Sequence, residues 1–272
     1  MRNLRSTGSS FATWAVPAAL AAGCALWSGS AHAQSFYIDE NTSYTNHPPC
    51  VNNPDLNTVT ASLQTTMVNS GWVGSRFTDQ NSWPQDFTEA CSSTSYGPFG
   101  DDGAFADEHV LAVFAGHALP GLVAWGYPHD NVCTRDFKAN IRLGQMSGAQ
   151  AAAAMWLGCE VLSPTSLPTE GNYEWLRQQF GWVNSIGIDD DEPSEFFNDT
   201  AGSTNRDAWL NDMSGSGREP IVVTYDNYSE NNCWNIHYAA SLGDQQYTNP
   251  RGAGPSCGEG LISYWYCYEY ET

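Results

Sequence analysis

Apolar positions along this chain form two kinds of pattern, unbroken runs and helical stripes, and their order predicts an α/β fold. His109-Val110-Leu111-Ala112-Val113-Phe114-Ala115 is one unbroken run, ending at Gly116-His117. Ala153-Ala154-Met155-Trp156-Leu157-Gly158 is a second, ending at Cys159. Runs without alternation suit strands buried on both faces, as in a parallel sheet. The alanines of the second run also favour a helix on local grounds. Gly148 upstream and Pro164 downstream break it, so a strand from about Ala153 is preferred. Phe36-Tyr37-Ile38 predicts a short strand closing on Asp39 and Glu40, followed by a polar loop through Pro48-Pro49-Cys50. Val59, Leu63 and Met67 are helically spaced, which predicts a helix from a cap at Asn57 or Thr58 to about Asn69.

Residues 72–103 are rich in Ser, Gly and Pro and read as a long loop carrying Trp83-Pro84-Gln85-Asp86-Phe87. Trp175, Leu176 and Phe180 predict an amphipathic helix over 173–182, followed by a strand over 183–188 and an acidic loop of Asp189, Asp190, Asp191 and Glu192. A short helix over 205–213 and a strand over 220–225 follow. Strands alternating with helices imply a mostly parallel central sheet with helices on both faces, in which the strands ending at His117 and Cys159 are neighbours. From about residue 226 the composition shifts to Trp234, Tyr238, Tyr264, Trp265, Tyr266, Tyr268 and Tyr270 with three cysteines. This predicts a small aromatic- and Cys-rich β appendage pinned by disulfides, its aromatics either packed together or forming a sugar-binding platform.

Composition adds compartment and partner. The chain has 272 residues, 41% apolar and 13% aromatic, enough for one main core. Ten bases stand against 30 acids, a net charge of −20, and the first 33 residues hold Arg2 and Arg5 but no acid. So negative a body repels phosphate backbones and anionic lipid, which argues against nucleic-acid and membrane-surface partners; a basic ligand or a cation fits better. Arg2 and Arg5, the apolar stretch from Ala15 to Trp27 and Ala31-His32-Ala33 read as an export signal cleaved near Ala33. A lipoprotein reading centred on Cys24 is weaker, because Ala21 stands where Leu is expected. No later stretch approaches the roughly 18 to 20 apolar residues of a membrane span. The organisation expected is therefore a signal peptide over 1–33, an α/β domain over 34–225 and a C-terminal extension over 226–272, secreted or periplasmic.

In an oxidising compartment thiols become disulfides. Setting Cys24 aside leaves Cys50, Cys91, Cys133, Cys159, Cys233, Cys257 and Cys267, an odd number. Cys159 is expected to be the one outside three disulfides, because it follows a buried run as His117 does. Carboxyl ends of neighbouring parallel strands form the ligand crevice of an open sheet. A thiolate there, with a His to protonate the leaving amine, is the minimal apparatus for acyl transfer. Backbone N–H groups at Cys159 and at Ala118 are candidates to hold the oxyanion. The alternatives are a half-cystine or inert thiol at Cys159 and a capping histidine at His117. His109 and His129 are expected to be structural. His237 follows Cys159 in the order of papain-like enzymes but lacks their nucleophile context.

The blocks VLAVFAGH and AAMWLGC, 42 positions apart from His to Cys, resemble the two hydrophobic blocks of the caspase, legumain and gingipain group of cysteine peptidases. The surrounding WPQDF, FADEH, GH and GCEVL resemble an uncharacterised, mainly bacterial family sharing those blocks. The likeness spans roughly residues 36–213. It implies a caspase-like three-layer sandwich and a Cys159–His117 dyad hydrolysing peptide or protein substrates. It has two departures: Ala118 stands where the group has Gly after His, and Gly158 where it has Ala before Cys. In the resembled peptidases the loops corresponding to Asp39, Glu40 and Asp189 to Asp191 help line the pocket before the scissile bond, which implies cleavage after Arg or Lys. No cofactor or catalytic metal is implied. The acidic clusters, Asp189 to Glu192 and Asp101, Asp102, Asp107 and Glu108, suit at most Ca²⁺ as a structural ion, without the spacing of a calcium loop. The rival from another class is an inactive module of the same fold, binding a cation or basic ligand in its acidic crevice or a ligand on its aromatic tail.

Overall fold

The computed structural model describes residues 34–44, 55–87, 105–126, 135–136, 141, 143, 151, 153–163, 178–184, 187–215, 217–226 and 265–270. The expected export signal and the expected disulfides among Cys50, Cys91, Cys133, Cys233, Cys257 and Cys267 lie outside what is described, as do His129 and His237. In chain order the strands are β1 (Ser35–Glu40), β2 (Val73–Thr78), β3 (Leu111–Ala115), β4 (Ala118–Leu119), β5 (Leu122–Val123), β6 (Arg135–Asp136), β7 (Ala153–Leu157), β8 (Gln178–Trp182), β9 (Pro220–Asp226) and β10 (Trp265–Tyr270). The helices are α1 (Asn57–Asn69), α2 (Glu192–Asp199) and α3 (Asn205–Met213).

Seven strands make the central sheet in the order β10-β9-β8-β7-β3-β1-β2. β2, β1, β3, β7 and β8 run parallel, β9 is antiparallel to β8, and β10 is antiparallel to β9. The two unbroken apolar runs are neighbours, with Leu111 opposite Ala153 and Ala115 opposite Leu157, and every residue of both is buried. This is the mostly parallel α/β sheet that the pattern predicts. The described strand of the aromatic tail continues the same sheet.

Side chains alternate across the sheet. Phe36, Ile38, Val113, Met155, Leu157, Phe180 and Trp182 face α1, α2 and α3, where they meet Leu63, Met67, Phe196 and Trp209. Tyr37, Ala112, Phe114, Ala154 and Trp156 face the other way. Among the described residues all three helices lie on the first face. Helices are expected on both; of the described residues, those covering the second face are the 3₁₀ turns Pro84–Phe87 and Ala106–Glu108 and β4 and β5, through Phe87, Ala106, Ala118 and Val123.

Three local expectations are corrected. β2 occupies part of the expected 72–103 loop; as an edge strand with a mostly exposed or half-buried sequence, VGSRFT, it carries little apolar signal. Residues 178–182, expected to be helical, form β8, and the strand expected over 183–188 does not form at the bend of 183–184. The disguise came from two buried glutamines: Gln179 accepts from Trp156 Nε1 at 2.5 Å and Gln178 from Asn205 Nδ2 at 3.3 Å, so polar residues sit inside the sheet with partners. α1 starts after Leu56 with no side-chain cap, whereas Thr204 caps α3 by accepting the Asp207 N–H. No helix among the described residues is long and apolar enough to cross a membrane.

The α2–α3 pair generates a pH prediction. Burial, then the charges of Asp199 and Glu195, push the Asp212 carboxyl up to about 6 from its ordinary 3.8. A raised acid destabilises the folded state when ionised. Stability withheld above pH 6 therefore returns as pH falls from about 6 toward 4. Asp212→Asn is expected to raise the melting temperature at pH 8 and leave it nearly unchanged at pH 4, measured by thermal melts at the two pH values.

Candidate functional site

The carboxyl ends of β3 and β7 carry the two residues that the sequence singles out. Past β3 the ladder continues for one residue, Gly116 N–H donating to Leu157 O at 3.1 Å, before the chain turns at His117 into the β4–β5 hairpin. Pro120-Gly121 closes that hairpin, Gly121 at φ 71°. The Gly121 N–H reaches Val161 O at 3.4 Å, tying the hairpin tip to the turn after β7. Cys159 opens that turn, half-buried and in no disulfide. Glu160 beside it has φ 55°, a left-handed conformation unusual for a residue with a Cβ. Its N–H is held by Asn184 O at 3.0 Å, past the end of β8.

Gly158 shows how closely the two loops approach. A Cβ there would sit 2.8 Å from the Ala118 Cβ and 2.8 Å from the Gly116 carbonyl oxygen. Backbone meets backbone, so His117 and Cys159 emerge from loops in contact. The two departures from the pattern of the resembled peptidases, Ala118 and Gly158, fall at this one contact, the methyl of one filling the space above the other.

Hairpin register orients the Ala118 amide. Ala118 pairs with Val123, and Ala124 N–H donates to His117 O at 2.9 Å. Hydrogen-bonded pairs alternate in an antiparallel ladder, so His117–Ala124 is a bonded pair and Ala118–Val123 is not. The Ala118 N–H therefore faces away from β5. Gly158 is close by, its Cβ position 3.5 Å from the Ala118 nitrogen.

Tyr44, read only as part of a polar loop, meets the site from a third direction. Fully buried, its hydroxyl accepts the His117 N–H at 2.8 Å and donates to Ala124 O at 2.8 Å, and its ring lies 4.6 Å from the His117 ring. The loop carrying it is fastened below. Asp79 Oδ1 accepts the N–H groups of Thr42 at 2.7 Å and Ser43 at 2.8 Å, and Asn41 accepts the Gly126 N–H at 3.0 Å. Asp79 holds φ 48° to do so. No sequence motif marks these residues; their roles come from chain crossings.

Several of the acids expected to line a substrate pocket are buried or already paired. Asp39 and Glu40 are buried on opposite faces of β1. Asp39 Oδ2 accepts from Trp125 Nε1 at 2.8 Å. Burial, then the Asp86 carboxylate, push the Asp39 carboxyl well above its ordinary range, against the opposing pull of Ser82 and Trp125. Beside it, burial first and the charges of Asp39 and Asp86 next raise the Tyr37 phenol, which donates to Asp86. Glu40 forms an ion pair with Arg76 at 2.7 Å and accepts from Thr60. Asp189, exposed, is paired with Arg218 at 3.2 Å, and Arg218 also binds Glu192. Asp190 and Asp191 are exposed. His109 Nδ1 lies 2.6 Å from Phe105 O, a structural contact beside Tyr37. Among the described residues no group of three His, Cys, Asp or Glu side chains could hold a metal ion.

A half-buried thiol and an imidazole carried on two loops in contact, with the Ala118 amide turned out of its hairpin, offer the residue types that nucleophilic acyl chemistry uses. No family model matches the chain, and a search of curated proteins finds no match.

The Gly158 contact yields a mutational test. A methyl at 158 runs into the Gly116 backbone carbonyl, which no side-chain rotation relieves. Gly158→Ala is therefore expected to cost about 1–3 kcal/mol by overpacking. Gly187→Ala, where a Cβ meets nothing within 4 Å, is expected to be nearly neutral. Urea melts of both variants measure the contrast.

Proposed function

We propose that this chain is a secreted cysteine peptidase of the caspase, legumain and gingipain type, with Cys159 as nucleophile and His117 as general acid and base. The observation that carries this reading is the contact at Gly158, which sets the loops of β3 and β7 against each other at the carboxyl edge of a parallel sheet, the usual place for a ligand crevice. Two features support it: Cys159 makes no disulfide, and the strained Glu160 is the kind of backbone outlier that clusters at functional sites.

In the proposed reaction His117 takes the proton of the Cys159 thiol, and the sulfur adds to the scissile carbonyl carbon. The carbonyl electrons move to oxygen, where the N–H groups of Ala118 and Cys159 receive the negative charge. Collapse breaks the C–N bond, and His117 gives its proton to the departing amine. Water, deprotonated by His117, then attacks the thioester carbonyl; the C–S bond breaks, releasing the acid and restoring the dyad. The chemistry needs no cofactor.

Specificity for Arg or Lys before the scissile bond is part of the proposal, on narrower ground than the sequence suggested. Glu40 and Asp189 already hold Arg76 and Arg218, which leaves the exposed Asp190 and Asp191, past the end of β8, to attract a basic side chain under a net charge of −20.

Thiol labelling and a fluorogenic peptide panel test this together. Iodoacetamide is expected to modify Cys159 first, with His117→Ala slowing labelling and abolishing cleavage, and peptides with Arg or Lys before the bond are expected to be cleaved at least ten times faster than those with Asp. Labelling of Cys159 indifferent to His117, with no peptide cleaved, would contradict the peptidase reading and favour a binding module of the same fold.

A further inference from the structure

The β4–β5 hairpin contains an irregularity at the candidate general acid. His117 and Ala124 form a hydrogen-bonded pair by register, and one of its two bonds is present: Ala124 N–H donates to His117 O at 2.9 Å. The reciprocal bond, His117 N–H to Ala124 O, is replaced. The Tyr44 hydroxyl lies between the two groups, accepting from one at 2.8 Å and donating to the other at 2.8 Å. A phenol thus completes the ladder, opening the hairpin by one hydroxyl at the residue whose side chain must face Cys159.

Three further facts converge on this residue. Tyr44 is fully buried, so its hydroxyl hydrogen bonds form away from water, where leaving either partner unmade is costly. Its ring lies 4.6 Å from the imidazole at 54°, limiting where that ring can swing. A Cβ at Gly116 would run into the Tyr44 hydroxyl and the Phe114 ring, so the glycine before His117 is what admits the phenol.

We propose that Tyr44 is a positioning residue for His117, holding its backbone through the inserted hydroxyl and its imidazole through ring contact, so that the imidazole stays beside the Cys159 thiol. This rests on the Cys159–His117 pairing proposed above. Asp79, through Thr42 and Ser43, fixes the loop that delivers Tyr44.

The test compares alkylation of Cys159 by anionic iodoacetate and neutral iodoacetamide over a pH series from 5 to 8. A nearby imidazolium favours the anionic reagent, so the ratio of the two rates reports its proximity, whereas a general loosening changes both rates together. Wild type is expected to exceed His117→Ala in this ratio by about fivefold or more. Tyr44→Phe, which removes one oxygen, is expected to fall most of the way to the His117→Ala value while melting cooperatively above the assay temperature. A wild-type ratio in Tyr44→Phe, with His117→Ala lowered, would overturn the positioning role and leave the dyad standing. Equal ratios in wild type and His117→Ala would overturn the dyad itself. Should Tyr44→Phe fail to fold, hydrogen exchange of the His117 amide in the wild-type chain decides: protection of about a hundredfold or more is expected from a buried bond to the phenol, and exchange at the unprotected rate would overturn the proposal.

Discussion

Everything at the candidate site depends on two parallel strands ending in step with no side chain between them. β3 and β7 pair from Leu111–Ala153 to Ala115–Leu157, and Gly116 extends the ladder to Leu157. At the next residue a Cβ would close the gap, and Gly158 has none. Hydrophobic burial drives the pairing, since both strands are covered on both faces. The glycine then converts strand pairing into loop contact. His117 and Cys159 thereby inherit their proximity from the most deeply buried part of the fold.

Around this contact, polar groups at the carboxyl edge hold loops that have little apolar surface of their own. Asn41, Asp79 and Tyr44 fasten the segment after β1 to the hairpin after β3. Asn184 accepts the Glu160 N–H through its carbonyl oxygen and the Glu219 N–H through Oδ1, linking the exits of β7 and β8 to the entrance of β9. Buried or half-buried bonds of this kind contribute modestly when made and cost more when one partner is removed.

How much of this was legible in the sequence follows from which physics each feature obeys. Buried parallel strands announce themselves as unbroken runs, so β3 and β7 were readable, and α1 and α3 carried stripes or boundaries strong enough to place. β8 was not readable, because Gln178 and Gln179 look like an exposed helical face until Asn205 and Trp156 are seen to donate to their side-chain oxygens inside the fold. β2 was missed because an edge strand needs little apolar sequence. Cys159 and His117 were legible from their positions after the runs. Tyr44 was not, since its role arises where three segments distant in sequence cross. The separation of Asp39 from Glu40 was already present in the sequence: they are consecutive on a strand and so point to opposite faces.

The central claim is that the ends of β3 and β7 form one site holding both His117 and Cys159. The most direct measurement is the NMR spectrum of the His117 imidazole, assigned by comparison with His117→Ala, before and after stoichiometric alkylation of Cys159 by iodoacetamide. The account predicts that the His117 ring resonances move markedly, while those of His109, held at Phe105 on the second face of the sheet, stay in place. Unmoved His117 resonances in a fully alkylated, folded protein would contradict it.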